Sequence, residues 1–164
     1  MNSVIALVSS LERRETRQGR SSYVVTSKGA EVKTAFKVVD ASSLIISNNL
    51  DGMINPAFPE ELQPRDRTRL SSKLQVNRIA SNLRPAQLTD SGMSSHGAPI
   101  VGPDNVVESG NGRSMGIWRA YEQGQADEYR QYLIDHAKES GLNPDEISQM
   151  SMPVLVRERL TDVD

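Results

Sequence analysis

Residues 98–121 leave this chain few choices. Ala98-Pro99-Ile100-Val101 and Val106-Val107-Glu108-Ser109 are short apolar runs separated by Gly102-Pro103-Asp104-Asn105, four turn-favouring residues. The pattern predicts a β-hairpin. Gly110-Asn111-Gly112-Arg113 follows without a gap, and a helical stretch continues through Tyr121. A strand feeding a glycine-bracketed turn that opens a helix has a definite physical use. Glycines at 110 and 112 allow positive φ and remove side chains, so consecutive N–H groups can converge on one point. The helix adds the positive end of its dipole and its unpaired first-turn amides. Arg113 supplies a forked guanidinium that matches phosphate oxygens, and Arg119, about two helical turns on, could face the same side. Strand-to-helix glycines also serve as plain tight-turn residues, so Gly-x-Gly-Arg alone leaves both readings open.

The rest of the chain alternates between strand and helix signals. Met1–Ser10 reads as a strand or docked arm, and Glu12–Arg20, without apolar periodicity, as a linker or frayed helix end. Glu31–Asp40 suits a strand. Leu44-Ile45-Ile46 is a second apolar run, followed by the turn-rich Ser47–Gly52, and the three prolines of Asn55–Pro64 make that stretch irregular. Leu70, Leu74, Val76, Ile79, Ala80 and Leu83 share one face of a helix over 68–83, which Arg84-Pro85 ends. Ser91–Gly97 is a polar loop. Tyr129, Leu133, His136 and Ala137 define a helix over 126–140 that stops at Gly141. Asn143-Pro144 caps a short helix, and Pro153–Arg157 is a final strand. No internal repeat is visible. The mixed order predicts a single α+β domain.

Composition bounds the function. The 164 residues suffice for one core, which must be aliphatic because only seven are aromatic. With no cysteine, disulfides and thiolate chemistry are excluded. No apolar run approaches the ~18 residues of a membrane span, so cytoplasmic residence is the default expectation. The net charge of −2 hides a partition. Residues 65–121 carry eight basic against four acidic side chains, a net of +4; residues 122–164 carry four against ten, a net of −6. A general nucleic-acid coat is disfavoured, whereas a local anion site in the middle third stays open.

Other candidates attach to that middle third. Arg65, Arg67, Arg69, Lys73 and Arg78 crowd the start of the 68–83 helix, where cations oppose the dipole unless an anion offsets them. Asp66, Glu60 and Glu61 could be that offset. Glu108, beside the turn, could reach a metal or water near a bound phosphate, or pair with Arg113 or Arg119. One carboxylate rarely holds a catalytic metal, and two isolated histidines, 96 and 136, make no metal cluster. His96 could act as a mobile base. Trp118 reads as core before it reads as a stacking platform.

The order of motifs then carries a resemblance. Gln63-Pro64-Arg65, a helix, Gly97–Val101, Gly110–Arg113 with Arg119-Ala120, and Pro153–Arg157 follow the core order of the ParB/sulfiredoxin superfamily. Thr26–Tyr121 more closely resembles the DdrB-like ParB domain of phage and plasmid antirestriction and polyvalent proteins. Asn55-Pro56-Ala57, Leu62–Arg67 and Val107–Arg113 are the specific stretches. The resemblance implies a mixed sheet flanked by helices over 23–160, with 1–22 an arm or linker and 161–164 a tail. It implies a phosphate pocket at Gly110, Asn111, Gly112 and Arg113, approached by Arg65 and Arg67. The implied ligand is a nucleoside triphosphate or DNA, with a divalent metal if Glu108 serves a nuclease. Two departures limit it. Sulfiredoxin's cysteine falls at Asn111, and partition ParB has an acid at 111 and an arginine at 112. A further nucleotide motif would follow Pro153–Arg157, which is consistent with one domain of a longer protein, in a host cytoplasm or a phage particle. Three functions stay in view: a nucleotide- or DNA-binding domain, a metal-assisted nuclease, and an interaction module for other domains or phage components.

Overall fold

A strand buried on both faces must lie inside a sheet, and Glu31–Asp40 (β2) is buried at every position from Thr34 onward. In the computed structural model, which describes residues 13–26, 28–46, 70–89, 91–93 and 96–160, β2 is flanked by Ser21–Val25 (β1) and Pro153–Arg159 (β5). Ile100–Val101 (β3) and Val107–Ser109 (β4) complete five strands in the order β1-β2-β5-β3-β4. β3 runs parallel to β5 and every other neighbouring pair is antiparallel. Four helices accompany the sheet among the described residues: Leu70–Ser81 (α1), Asn111–Glu122 (α2), Asp127–Asp135 (α3) and Pro144–Ser148 (α4). The domain is therefore α+β with a mixed sheet, as the alternation of signals implied. Met1–Ser10, Ser47–Gly52, Asn55–Pro64, the start of the 68–83 helix and the 161–164 tail lie outside the described residues.

Two local expectations need correction. Residues 13–20 are neither linker nor frayed helix: they run extended along β2. Thr16 N–H donates to Val38 O at 2.8 Å, Gly19 N–H to Phe36 O at 2.7 Å, and Asp40 N–H to Arg14 O at 2.7 Å. β2 is ten residues long and β1 only five, so half of its edge would otherwise be unpaired. Backbone pairing needs no apolar periodicity, and charged side chains suit an edge. The helix expected over 126–140 divides, because the chain tightens to a 3₁₀ turn over 137–140 before Gly141. The predicted hairpin is present, with Ile100 opposite Ser109.

The core is aliphatic, built on Phe36, Val38, Val39, Leu155 and Val156 with the buried ring of Tyr129. Leu155 N–H, beyond the end of β3, donates to Tyr129 Oη at 3.0 Å. α1 crosses α2 closely at Gly116, where a Cβ would stand 2.4 Å from Ile79 Cγ2 and 2.7 Å from Ile79 Cβ. Two buried charged groups, Lys37 and Asp40, are satisfied in sets. Lys37 Nζ meets Glu158 at 2.5 Å and Glu15 at 3.1 Å. Burial alone would lower the Lys37 ammonium, but the hydrogen bonds to Glu158 and Glu15 outweigh it and hold it above its usual value. Asp40 caps the turn at 41–43, accepting from Ser42 N–H and Oγ, Ser151 Oγ and Met152 N–H. Burial would raise its carboxyl, yet these bonds win and hold it below the ordinary 3.8.

Gly116→Ala is expected to destabilise the domain by about 1–3 kcal/mol through overpacking against Ile79; an unchanged denaturant midpoint would show that the crossing is loose. Asp40→Asn should cost about 2 kcal/mol at neutral pH. The lowered folded value makes this contribution full above about pH 4 and lost as pH falls through that value. The gap between wild type and variant in urea titrations should therefore shrink towards pH 3.

Candidate functional site

The hairpin delivers β4 to Gly110, and the helix begins one residue later. Gly110 is the N-cap of α2 with φ 94°, a left-handed conformation that favours glycine. Its carbonyl accepts from Ser114 N–H at 2.8 Å, the first turn of the helix. Gly112 departs from expectation: it lies inside α2 and is not among the glycines with positive φ. The turn is thus one residue, not a loop bracketed by two glycines. Asn111 points inward, 3% exposed, with Nδ2 donating to Val107 O at 3.4 Å.

Gly110 has a second use. A Cβ there would lie 2.8 Å from Arg113 Nη2 and 3.0 Å from its Cζ and Nε. The guanidinium folds back over the glycine, and from that position Nη1 donates to Gly97 O at 2.6 Å. Burial pushes Arg113 down to about 10, which leaves it charged at neutral pH.

Arg113 lines a cleft of about 590 Å³. The end of α1 supplies Arg78 and Ile79, the residues after it Asn82, Leu83 and Arg84, and the 3₁₀ turn at 85–88 Gln87 and Leu88. Ser91, His96 and Gly97 close it against Arg113. Arg78, Arg84 and His96 are exposed, Leu88 is buried and Arg113 is half-buried. Three arginines and a histidine therefore face an apolar floor, and no carboxylate lines the cleft among the described residues. Anionic groups gain at the rim, and flat apolar surface gains at Ile79, Leu83 and Leu88.

The predicted site residues are thus partly gathered and partly scattered. Arg113 lines the cleft and Gly110 makes room for it, whereas Asn111, Gly112 and Arg119 are not among its lining residues. Arg65 and Arg67 lie outside the described residues. Glu108 pairs with neither Arg113 nor Arg119: Arg159 grips it, with Nε 2.9 Å from Oε1 and Nη2 3.0 Å from Oε2. Strand order explains the change, because β5 lies beside β3, whose other neighbour is β4. Among the described residues no group of three His, Cys, Asp or Glu side chains could hold a metal ion. Trp118 is partly buried against the core. Motif reasoning missed Arg84, Gln87 and Asn82, whose signal was their position at the break after the α1 apolar face.

A five-stranded mixed sheet accompanied by four helices among the described residues, in one α+β domain, is consistent with a ParB-like fold. The family model for the ddrB-like ParB superfamily domain matches residues 27–160, and the chain belongs to that family. No curated protein and no solved structure matches it. No helix among the described residues is long and apolar enough to cross a membrane.

Gly110→Ala should cost about 1–2 kcal/mol from the positive φ. The guanidinium tip can move aside, so the larger consequence is a displaced Arg113. Loss of the Arg113–Gly97 contact in a crystal structure of the folded variant is the expected sign, and an unmoved side chain would refute the coupling.

Proposed function

We propose that this domain binds a phosphate-bearing nucleotide in the cleft between the end of α1, the 3₁₀ turn at 85–88 and Arg113. The observation that carries the proposal is the convergence of Arg78, Arg84 and Arg113 on one cavity of about 590 Å³. That volume falls within the usual ~300–1,000 Å³ of small-molecule sites. Guanidinium forks recognise phosphate oxygens two at a time. The aliphatic patch of Ile79, Leu83 and Leu88 offers a sugar or base a dry surface, and the Asn82 and Gln87 amides offer it hydrogen-bond donors and acceptors. Membership in a ParB-like family supports a ligand of this class. A volume of about 590 Å³ suits a free nucleotide or a single flipped-out unit better than a duplex. A role in phage or plasmid DNA metabolism or antirestriction is the biological setting we attach to that binding.

A thermal-shift panel of ATP, CTP, GTP, UTP and a short single-stranded DNA tests it. A ligand at a hundredfold excess over Kd stabilises by about 2.7 kcal/mol, a rise of roughly 5–10 °C for a domain of this size. The shift should fall by at least half in Arg84→Ala, an exposed residue with little structural cost. It should vanish in Arg113→Ala. No shift with any of these ligands would leave the interaction-module reading standing. Magnesium-dependent plasmid cutting that disappears in Glu108→Gln would replace binding by nuclease chemistry.

A further inference from the structure

The most buried charged side chain in the described residues belongs to none of the cleft's lining groups. Arg157, on the central strand β5, is 0% exposed. Its guanidinium is held by main-chain carbonyls from both arms of one loop. Nε donates to Ala98 O at 2.8 Å and Nη2 to the same oxygen at 2.6 Å. Nη1 donates to Ser91 O at 2.7 Å and Met93 O at 3.2 Å, and Nη2 also reaches His96 O. The backbone repeats the attachment, with Arg157 N–H donating to Pro99 O at 2.8 Å and Ala98 N–H to Thr89 O at 2.8 Å.

Ser91, His96 and Gly97 also line the cleft. The segment is therefore bracketed by two arginines. Arg157 takes the carbonyls of His96 and Ala98 from the core side, and Arg113 takes the carbonyl of Gly97 between them from the cleft side. Within the described part of the segment, His96 N–H donates to Met93 O at 3.3 Å and Met93 N–H to Ser91 Oγ at 3.2 Å, and Gly92 O accepts from Val25 N–H of β1 at 2.8 Å. A polar loop keeps one geometry when its carbonyls are held by a rigid neighbour. A guanidinium is suited to that task, because its five donors lie in one plane and can bind several carbonyls at fixed angles. An ammonium on the same strand could reach one or two of them.

We infer that Arg157 is a positioning residue for ligand binding: it fixes the Ser91–Met93 and His96–Ala98 wall, and through Gly97 O it fixes Arg113. This rests on the nucleotide reading of the cleft. Arg157 does not touch the ligand. Its effect on affinity is carried entirely by the loop.

The test compares Arg157→Lys with Tyr129→Phe, which removes the acceptor of Leu155 N–H on the same strand, away from the cleft. Binding of the four ribonucleoside triphosphates is measured by titration calorimetry beside native-state hydrogen exchange. Arg157→Lys should weaken binding at least tenfold and speed exchange at His96 and Ala98 while β2 and β5 stay protected. Tyr129→Phe should lower the melting temperature and leave affinity within twofold. Wild-type affinity in folded Arg157→Lys, or an equal loss in Tyr129→Phe, overturns the inference. Should Arg157→Lys fail to fold, exchange in the wild type decides. His96 and Ala98 amides protected at the level of β5 uphold the hold on the loop, and amides exchanging as a free loop overturn it. If wild type binds no nucleotide, the cleft's proposed function falls, and the exchange measurement still judges Arg157 separately.

Discussion

Placing a guanidinium at the centre of an aliphatic sheet is costly unless every N–H finds a partner, and that requirement at Arg157 organises one whole side of the domain. The strand carrying it is buried from Pro153 to Glu158, so solvent cannot satisfy it. Side-chain acceptors of this kind are scarce in a core built from valine, leucine and isoleucine. The chain brings a loop to the arginine instead, and main-chain carbonyls complete the set. The loop is thereby forced against the end of α1 and the start of α2, which is where the cleft forms. Stability and site geometry share one set of hydrogen bonds.

A second constraint meets the first at Gly97. Gly110 turns the chain from β4 into α2 with φ 94° and, lacking a Cβ, admits the Arg113 guanidinium over itself. The arginine then sits three residues into the helix, half-buried, with its direction set by a carbonyl from the loop that Arg157 holds. Each glycine or arginine in this chain of contacts can be substituted only by disturbing the next. α1 adds Arg78 to the same space because Gly116 allows the two helices to close within contact of Ile79.

How much of this the amino-acid order reveals depends on the range of the interactions. The hairpin, the glycine cap, the end of α1 and the Asn143 cap are local, and each was legible from a few adjacent residues. Arg13–Arg20 was opaque because it joins the sheet through main-chain bonds to Phe36, Val38 and Asp40 that any side chains would permit. Gly112 misled because a glycine inside a first helical turn looks the same in sequence as one in a loop. The cleft was only half legible. Arg113 was marked by its turn, whereas Arg84, Gln87 and His96 are brought to it by tertiary packing. Arg157 did leave a signal: a charge ending the apolar run Pro153–Val156 on a strand that must be central has to find acceptors. Glu108 was matched to the wrong arginines because the order β5-β3-β4, which sets Arg159 near it, cannot be read from local pattern.

The charge partition along the chain takes on a physical meaning in the fold. The domain is slightly acidic as a whole, with a net charge of −2, which would disfavour an anionic ligand if charge acted globally. It does not, since exposed charges are screened over about 8–10 Å at ordinary ionic strength. Four carboxylates away from the cleft are matched locally: Glu108 with Arg159, Glu158 and Glu15 with Lys37, and Glu146 with Arg13 at 3.5 Å. Asp40 is satisfied by hydroxyls and amides. The lining of the cleft has no such carboxylate among the described residues, and Arg113 is partly desolvated there. On the proposed nucleotide reading, an incoming phosphate would meet Arg78, Arg84 and Arg113, the last in surroundings of lower effective dielectric than water. The acidic remainder of the chain would add only long-range repulsion that salt removes, so on that reading affinity would be governed by the few ångströms around three guanidinium groups.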